Sequence, residues 1–277
     1  MRLMLSLLIF AVLIWSAYWF LGAQKNKTRM TDWIFEQRAQ GWVIEFETLK
    51  QMGYPNRFDI TLREPKIRTP EGAIEWQGLF LQDLRLSYKP NHSIIVFPKN
   101  HKFSFGKKVF HISNEQARAS VITGPPQEHR IILEITNLEI ATDGLKIEFP
   151  RAQLAILQEA HQHKVHVTLS SLNIDNKSKM NNLIISGDIE MPTAPNIFPI
   201  PIMNGLGARF TNLKVDIDGK TIINDGTITA APNLELGGKI FTSRDIGTAS
   251  GSQDSHVNHI QIEEIATPFG IQVSRMR

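Results

Sequence analysis

From Leu3 to Leu21 the chain carries no charged side chain, and Trp15, Tyr18, Trp19 and Phe20 crowd the C-terminal end of that stretch. As a helix it spans ~28 Å, close to the ~30 Å hydrocarbon core of a bilayer. Trp and Tyr rings favour the membrane–water interface, and Arg2, Lys25, Lys27 and Arg29 bracket the stretch. Residues 1–23 are therefore expected to form a transmembrane signal-anchor. A cleaved signal peptide and a buried core helix are the competing readings. Signal peptides have shorter apolar cores and a small-x-small cleavage site, whereas Leu21-Gly22-Ala23 puts a large residue at the outer position. Length and flanks favour the uncleaved anchor. Arg2 lies on one side of it, and Lys25, Lys27, Arg29 and Arg38 lie on the other. By the positive-inside rule that balance favours a cytoplasmic body, although long domains translocate regardless of flanking charge.

Beyond the anchor the chain is polar and patterned with a period of two. Phe58, Ile60 and Leu62 alternate with Arg57, Asp59 and Thr61, and Ile131, Leu133 and Ile135 repeat the pattern. So do Val165, Val167 and Leu169, and Leu183 with Ile185. Gly, Pro, Asn or Asp bound each run, which is the strand signature. Asp143-Gly144, Asp218-Gly219 and Asp225-Gly226 read as hairpin turns. Residues 151–160 fit either helix or strand, and their context favours strand. One short helix is expected after the anchor, capped by Thr31 or Asp32 and stopped by Gly41, with Trp33 and Phe35 holding it to the membrane surface or the body.

Four stretches share a grammar of apolar, polar, polar, Leu, any residue, apolar. They are Leu81–Leu86, Ile135–Ile140, Leu169–Ile174 and Phe210–Val215. Two polar residues in a row break the alternation by one step, which a β-bulge restores while adding curvature. The uneven spacing excludes a strict solenoid and points to successive strands of one curved antiparallel sheet. The expected fold class is mainly β: an N-terminal transmembrane helix, then a large curved, mostly antiparallel sheet of half-barrel or groove-like form, with few helices. The expected divisions are an anchor at 1–23, a juxtamembrane segment at 24–41 and a β-rich body at 42–242. A sub-boundary is possible at 192–201, where prolines cluster, with a flexible linker at 243–256 and a C-terminal segment at 257–277.

Composition excludes several classes of function. Lys and Arg number 30 against 27 Asp and Glu, a net charge of +3 without a basic stripe, so no nucleic-acid partner is expected. Cys is absent, which rules out disulfides, thiol catalysis and Cys-ligated metal centres. No G-x-S-x-G or phosphate-loop pattern occurs, and the chain is read as non-enzymatic and without a cofactor. His161, His163 and His166 form an H-x-H-x-x-H cluster, the one weak metal candidate, because imidazole suits zinc or copper.

The run Gly53-Tyr54-Pro55-Asn56-Arg57-Phe58 and its continuation through Ile67 resemble the opening of DUF2125, an uncharacterised bacterial family found mainly in alphaproteobacteria. Trp76, Leu84–His92, Val96-Phe97-Pro98 and Glu115–Ser120, the last with Arg118 and Ser120, extend the resemblance. Taken bottom-up, Gly53-Tyr54-Pro55 is a tight turn into a strand, and Arg57 and Asp59 are placed to pair. The resemblance implies a single-pass protein of the bacterial inner membrane with its C-terminal body in the periplasm. It is similar more distantly to the AsmA-like group, whose curved sheets are associated with lipid transport and outer-membrane assembly. The expected role is a scaffold or maintenance factor of the cell envelope, with envelope proteins as partners. The alternative is a lipid-binding or lipid-transfer protein that uses an apolar concave face.

Overall fold

The computed structural model describes residues 2–124, 128–159, 162–174, 178–190, 208–230, 235–238, 265–266 and 272–273. One helix, α1 (Arg2–Ala39), runs unbroken for 38 residues, ~57 Å. Its first half is exposed and apolar. The second half buries Trp19, Ala23, Asn26, Met30, Ile34 and Gln37, spaced three or four apart along one face. The separate helix expected to start at Thr31 or Asp32 is thus the continuation of the anchor. Thr31 Oγ1 donates back to the Thr28 carbonyl (2.8 Å), so its hydroxyl caps nothing. Trp33 packs on the core, whereas Phe35 points away from the body. The helix ends where expected. Gly41 takes φ 92°, and Trp42 N and Gly41 N donate to the carbonyls of Gln37 and Arg38, a Schellman termination.

Seventeen strands form one sheet that does not close, and every pairing among the described residues is antiparallel. The sheet is folded along a crease into two layers. Layer one joins β1 (Val43–Glu45), β4 (Lys66–Arg68), β5 (Ile74–Gly78), β8 (Asn100–Phe105) and β9 (Lys108–Ser113). Layer two joins β2 (Thr48–Met52), β3 (Asp59–Arg63), β6 (Phe80–Arg85), β7 (His92–Val96) and β10 (Gln116–Thr123). The strand β11 (Glu128–Thr142) belongs to both, pairing β10 along its first half and β9 along its last residues. From there β12 (Leu145–Glu159), β13 (Gln162–Ile174), β14 (Ser178–Glu190), β15 (Ala208–Ile217), β16 (Lys220–Ala230) and β17 (Glu235–Gly238) continue edge to edge. Residues 151–159 are strand, as context favoured.

Bends in consecutive strands build the crease. Glu64 (φ 48°) links β3 to β4, and its N–H donates to the Leu79 carbonyl between β5 and β6. Asn114, between β9 and β10, donates through Nδ2 to the carbonyls of Pro98 and Lys99, between β7 and β8. Asn137 (φ 50°) bends β11 and donates to Glu115 Oε2 (2.7 Å). Flanking pairs put Asn137 opposite Pro150 of β12, and Pro150 opposite Ser171 (φ 54°) of β13. Strands that switch sheets at such corners allow two layers to face each other. Pro150 lacks an amide donor, so a bent site in the ladder is the place where it costs least.

The recurrent grammar maps onto these bends unevenly. Its third residue takes positive φ at Asn137, Ser171 and Asn212 (φ 53°). Only near Asn212 does the pairing slip by a residue, as a bulge requires; at Asn137 and Ser171 the register is unbroken. In the first copy Asp83 stays in regular β6 and is buried. Asp143-Gly144 and Asp218-Gly219 are hairpin turns with both residues at positive φ. Asp225-Gly226, expected as a turn, lies inside β16, where Gly226 pairs with Leu213 at a register shift.

The main core fills the space between the layers and α1. Ile44 and Trp76 come from layer one, Ile60, Leu81, Ile95 and Val121 from layer two, and Met30 and Ile34 from the helix. A second cluster of Leu138, Ile147, Phe149 and Ala152 lies at the crease, on both sides of Asn137 and Pro150. The proline cluster at 192–201 and the linker at 243–256 lie outside the described residues. Within 257–277, β18 (Ile265–Ala266) pairs β19 (Gln272–Val273).

Candidate functional site: the junction of anchor and sheet

The turn that opens β3 docks on α1, a helix long and apolar enough to cross a membrane. Trp15 Nε1 donates to the Pro55 carbonyl (3.0 Å) and Trp19 Nε1 to the Arg57 carbonyl (2.7 Å). Tyr18 Oη donates to the Ser87 carbonyl (2.9 Å), Ser16 and Tyr54 hydroxyls meet at 2.9 Å, and Asn26 Nδ2 donates to the Phe58 carbonyl (3.1 Å). Each bond to a carbonyl satisfies a backbone acceptor that the loops leave without a ladder partner. The rings interlock as well. Trp19 meets Tyr54 edge-on at 5.3 Å, and Phe58 packs with Trp19 and Ala23. A Cβ on Gly22 would collide with the Phe58 ring, so the helix approaches this closely because residue 22 is glycine. Leu21-Gly22-Ala23, the best cleavage-site candidate, is therefore part of a packed helix.

Arg57 and Asp59 pair as expected (3.0 Å), and Asp59 Oδ1 also accepts from the Arg85 amide (3.2 Å). Above the junction, α1 and layer two enclose a cleft of about 410 Å³ lined by Asn26, Arg29, Asp32, Asp83, Arg85 and His129 among others. Within it Arg85 bonds Asp83 Oδ2 at 3.1 Å, both nearly inaccessible, and donates to the Pro90 carbonyl (2.8 Å). Burial pushes the Asp83 carboxyl above the usual carboxylate range, against the pull of the Arg85 and Arg29 guanidiniums. The cleft thus sets a buried ion pair among apolar walls that include Met30, Trp33, Ile60 and Val121. Sequence reading missed this pair, whose signal was only a charged residue at an inward position of the first grammar copy.

Other singled-out residues are scattered. Gly53, Tyr54, Pro55, Arg57 and Phe58 gather at the junction. Trp76 sits in the core against Phe97 and His101. Arg118 and Ser120 lie on the outward face of β10, where Ser120 Oγ meets His92 Nε2 at 2.9 Å. On β13, His163 is buried and His166 exposed on the opposite face, three residues apart, while His161 lies outside the described residues. Among the described residues no cluster of three His, Cys, Asp or Glu could hold a metal ion.

Neither the curated proteins nor the solved structures contain a match to this chain. One family model does match, over residues 19–195, more than half of the chain. Its match begins at Trp19, the first residue of α1 buried against the body, and takes in both loops of the junction, the crease and both core clusters. The chain belongs to that family, DUF2125, described as an uncharacterized protein conserved in bacteria.

Proposed function

We propose that this is a non-enzymatic scaffold of the bacterial cell envelope, held in the inner membrane by α1 with its sheet in the periplasm. One observation carries the reading: α1 and the two proximal layers pack as one unit around a core filled by their own side chains. A filled interior suits holding a partner in place better than carrying cargo. Asp83 and Arg85, the most buried ionisable groups of the cleft, bind each other, which suits structure better than turnover. Crosslinking in cells from outward positions of the distal strands, such as Lys214 and Leu157, tests it. Envelope proteins captured from these positions alone support the scaffold; the absence of any protein adduct overturns it. A C-terminal alkaline phosphatase fusion tests the side, because that reporter is active only in the periplasm.

A second reading, lipid binding, is favoured by the distal sheet. Leu133, Leu154, Val167, Ile185 and Val215 are register neighbours across β11–β15, as are Ile135, Ala152, Leu169, Leu183 and Ile217. Most of them are only half-buried. Covering such a surface with an acyl chain is worth ~0.8 kcal/mol per CH₂. Native mass spectrometry of the full chain released from nanodiscs distinguishes the readings. A stoichiometric phospholipid that Val167→Asp abolishes supports lipid binding; a clean apo mass rejects it.

A further inference from the structure

The junction constrains where the body stands relative to the bilayer. The helix residues that bond the loops, Trp15, Tyr18 and Trp19, carry rings that favour the membrane–water interface and so mark where the apolar span meets the headgroups. The interfacial layer on one side of a bilayer is ~5–8 Å thick. Loops hydrogen-bonded to those residues share their depth. The two loops are also tied together, since Ser87 N donates to the Asn56 carbonyl and Arg57 bridges Leu86. What they present outward suits that depth. Tyr54 is 53% and Tyr88 63% exposed, Met52 is exposed beside them, and the exposed Lys89 supplies a cation suited to lipid phosphates. In water these rings would be an unexplained apolar cluster; in the headgroup layer they extend the aromatic belt of the helix.

We propose that the 53–58 and 87–91 loops insert into the headgroup layer of the bilayer that α1 spans, seating the sheet on the membrane instead of suspending it above. This rests on α1 being a membrane span. The far end of the body would then stand well clear of the lipid. Pro70 packs on Gly41 at the C-terminal end of α1, and Gly106 N bonds Ala73 beside it, ~33 Å along the helix from Trp19.

The chain has no cysteine, so single-cysteine variants report alone. Full-length protein in nanodiscs of phosphatidylethanolamine and phosphatidylglycerol would carry a fluorophore at Leu8→Cys, Tyr54→Cys, Tyr88→Cys, Lys89→Cys or Val109→Cys. Lipid-borne nitroxides, at the headgroup or deep in the acyl chain, would quench it. The expected result is strong headgroup quenching at positions 54, 88 and 89, deep quenching at 8, and several-fold less of either at 109. Quenching at 8 with 54, 88 and 89 indistinguishable from 109 overturns the seating alone. No lipid quenching at 8 overturns the membrane span and the seating with it. Lys89→Cys sits on an exposed position and keeps the test decisive where a tyrosine variant misfolds.

Discussion

Val121 and Ile185 occupy equivalent places, each an apolar residue on the inward side of an antiparallel strand, yet Val121 is 3% exposed and Ile185 is half-buried. Val121 lies where layer two faces layer one and α1; Ile185 lies on β14, three strands beyond β11 and outside the main core. The same period-two pattern therefore makes a core in one region and an open apolar face in the other. A strand's alternation specifies which face is apolar, and a second layer is needed to bury it.

If the proximal region is a tightly packed unit and the distal sheet a looser extension, perturbations should separate them. The largest effect is expected from Arg85→Met, which leaves the Asp83 carboxyl buried without its partner at a cost of about 3–5 kcal/mol. Hydrogen exchange should rise in β3, β6 and β7 and stay nearly unchanged in β14 and β15. Equal loss in both regions would mean that they unfold as one. Next, Ile95→Ala in the proximal core should cost about 2–5 kcal/mol by denaturant unfolding. Ile185→Ala, on the half-covered face, should cost about 1 kcal/mol.

Gly22→Ala sets its new methyl against Phe58 and should cost about 1–3 kcal/mol at the junction. Limited proteolysis should then cut α1 between Gly22 and Gly41 while the strands stay protected. The crease offers a smaller test. Ser171 holds positive φ, which costs a non-glycine residue roughly 1–2 kcal/mol. Ser171→Gly should raise the melting temperature and Ser171→Val lower it.

The smallest effect is a pH dependence of opposite sign in the two regions. Asp216, on β15, accepts from Thr221 Oγ1 (2.6 Å) and pairs Lys214, which hold its carboxyl below the usual range. Its stabilisation is complete above the ordinary carboxylate pKa and is lost as pH falls through its lowered value. The carboxyl of Asp83 is raised by burial, so its ionisation opposes folding near neutrality, and acid relieves that penalty. Acid should therefore speed exchange around β15 and β16, and Asp216→Asn should flatten that response. Asp83→Asn should remove the acid gain near β6.

How far these features could be read in advance depended on their range. The long apolar helix, the strand runs and the Asp143-Gly144 and Asp218-Gly219 turns follow from hydropathy and backbone chemistry within windows of a few residues. The Arg57–Asp59 pair was legible for the same reason, two positions on one strand. Thr31 and Asp32 misled because good capping residues are also tolerated inside a helix whose other face is held by packing. Asp225-Gly226 misled because a turn pair can equally sit at a bulge.

Local sequence alone, then, determined an apolar helix, alternating strands and the positions where strands bend, since each is a property of neighbouring residues. Tertiary structure decided that Glu64, Asn114, Asn137, Pro150 and Ser171 fall on one crease. It also decided that Asp83 faces Arg85 in a cleft, and that Trp15, Tyr18 and Trp19 clasp two loops. Those outcomes depend on register and packing between segments far apart in the chain, where no local pattern reaches.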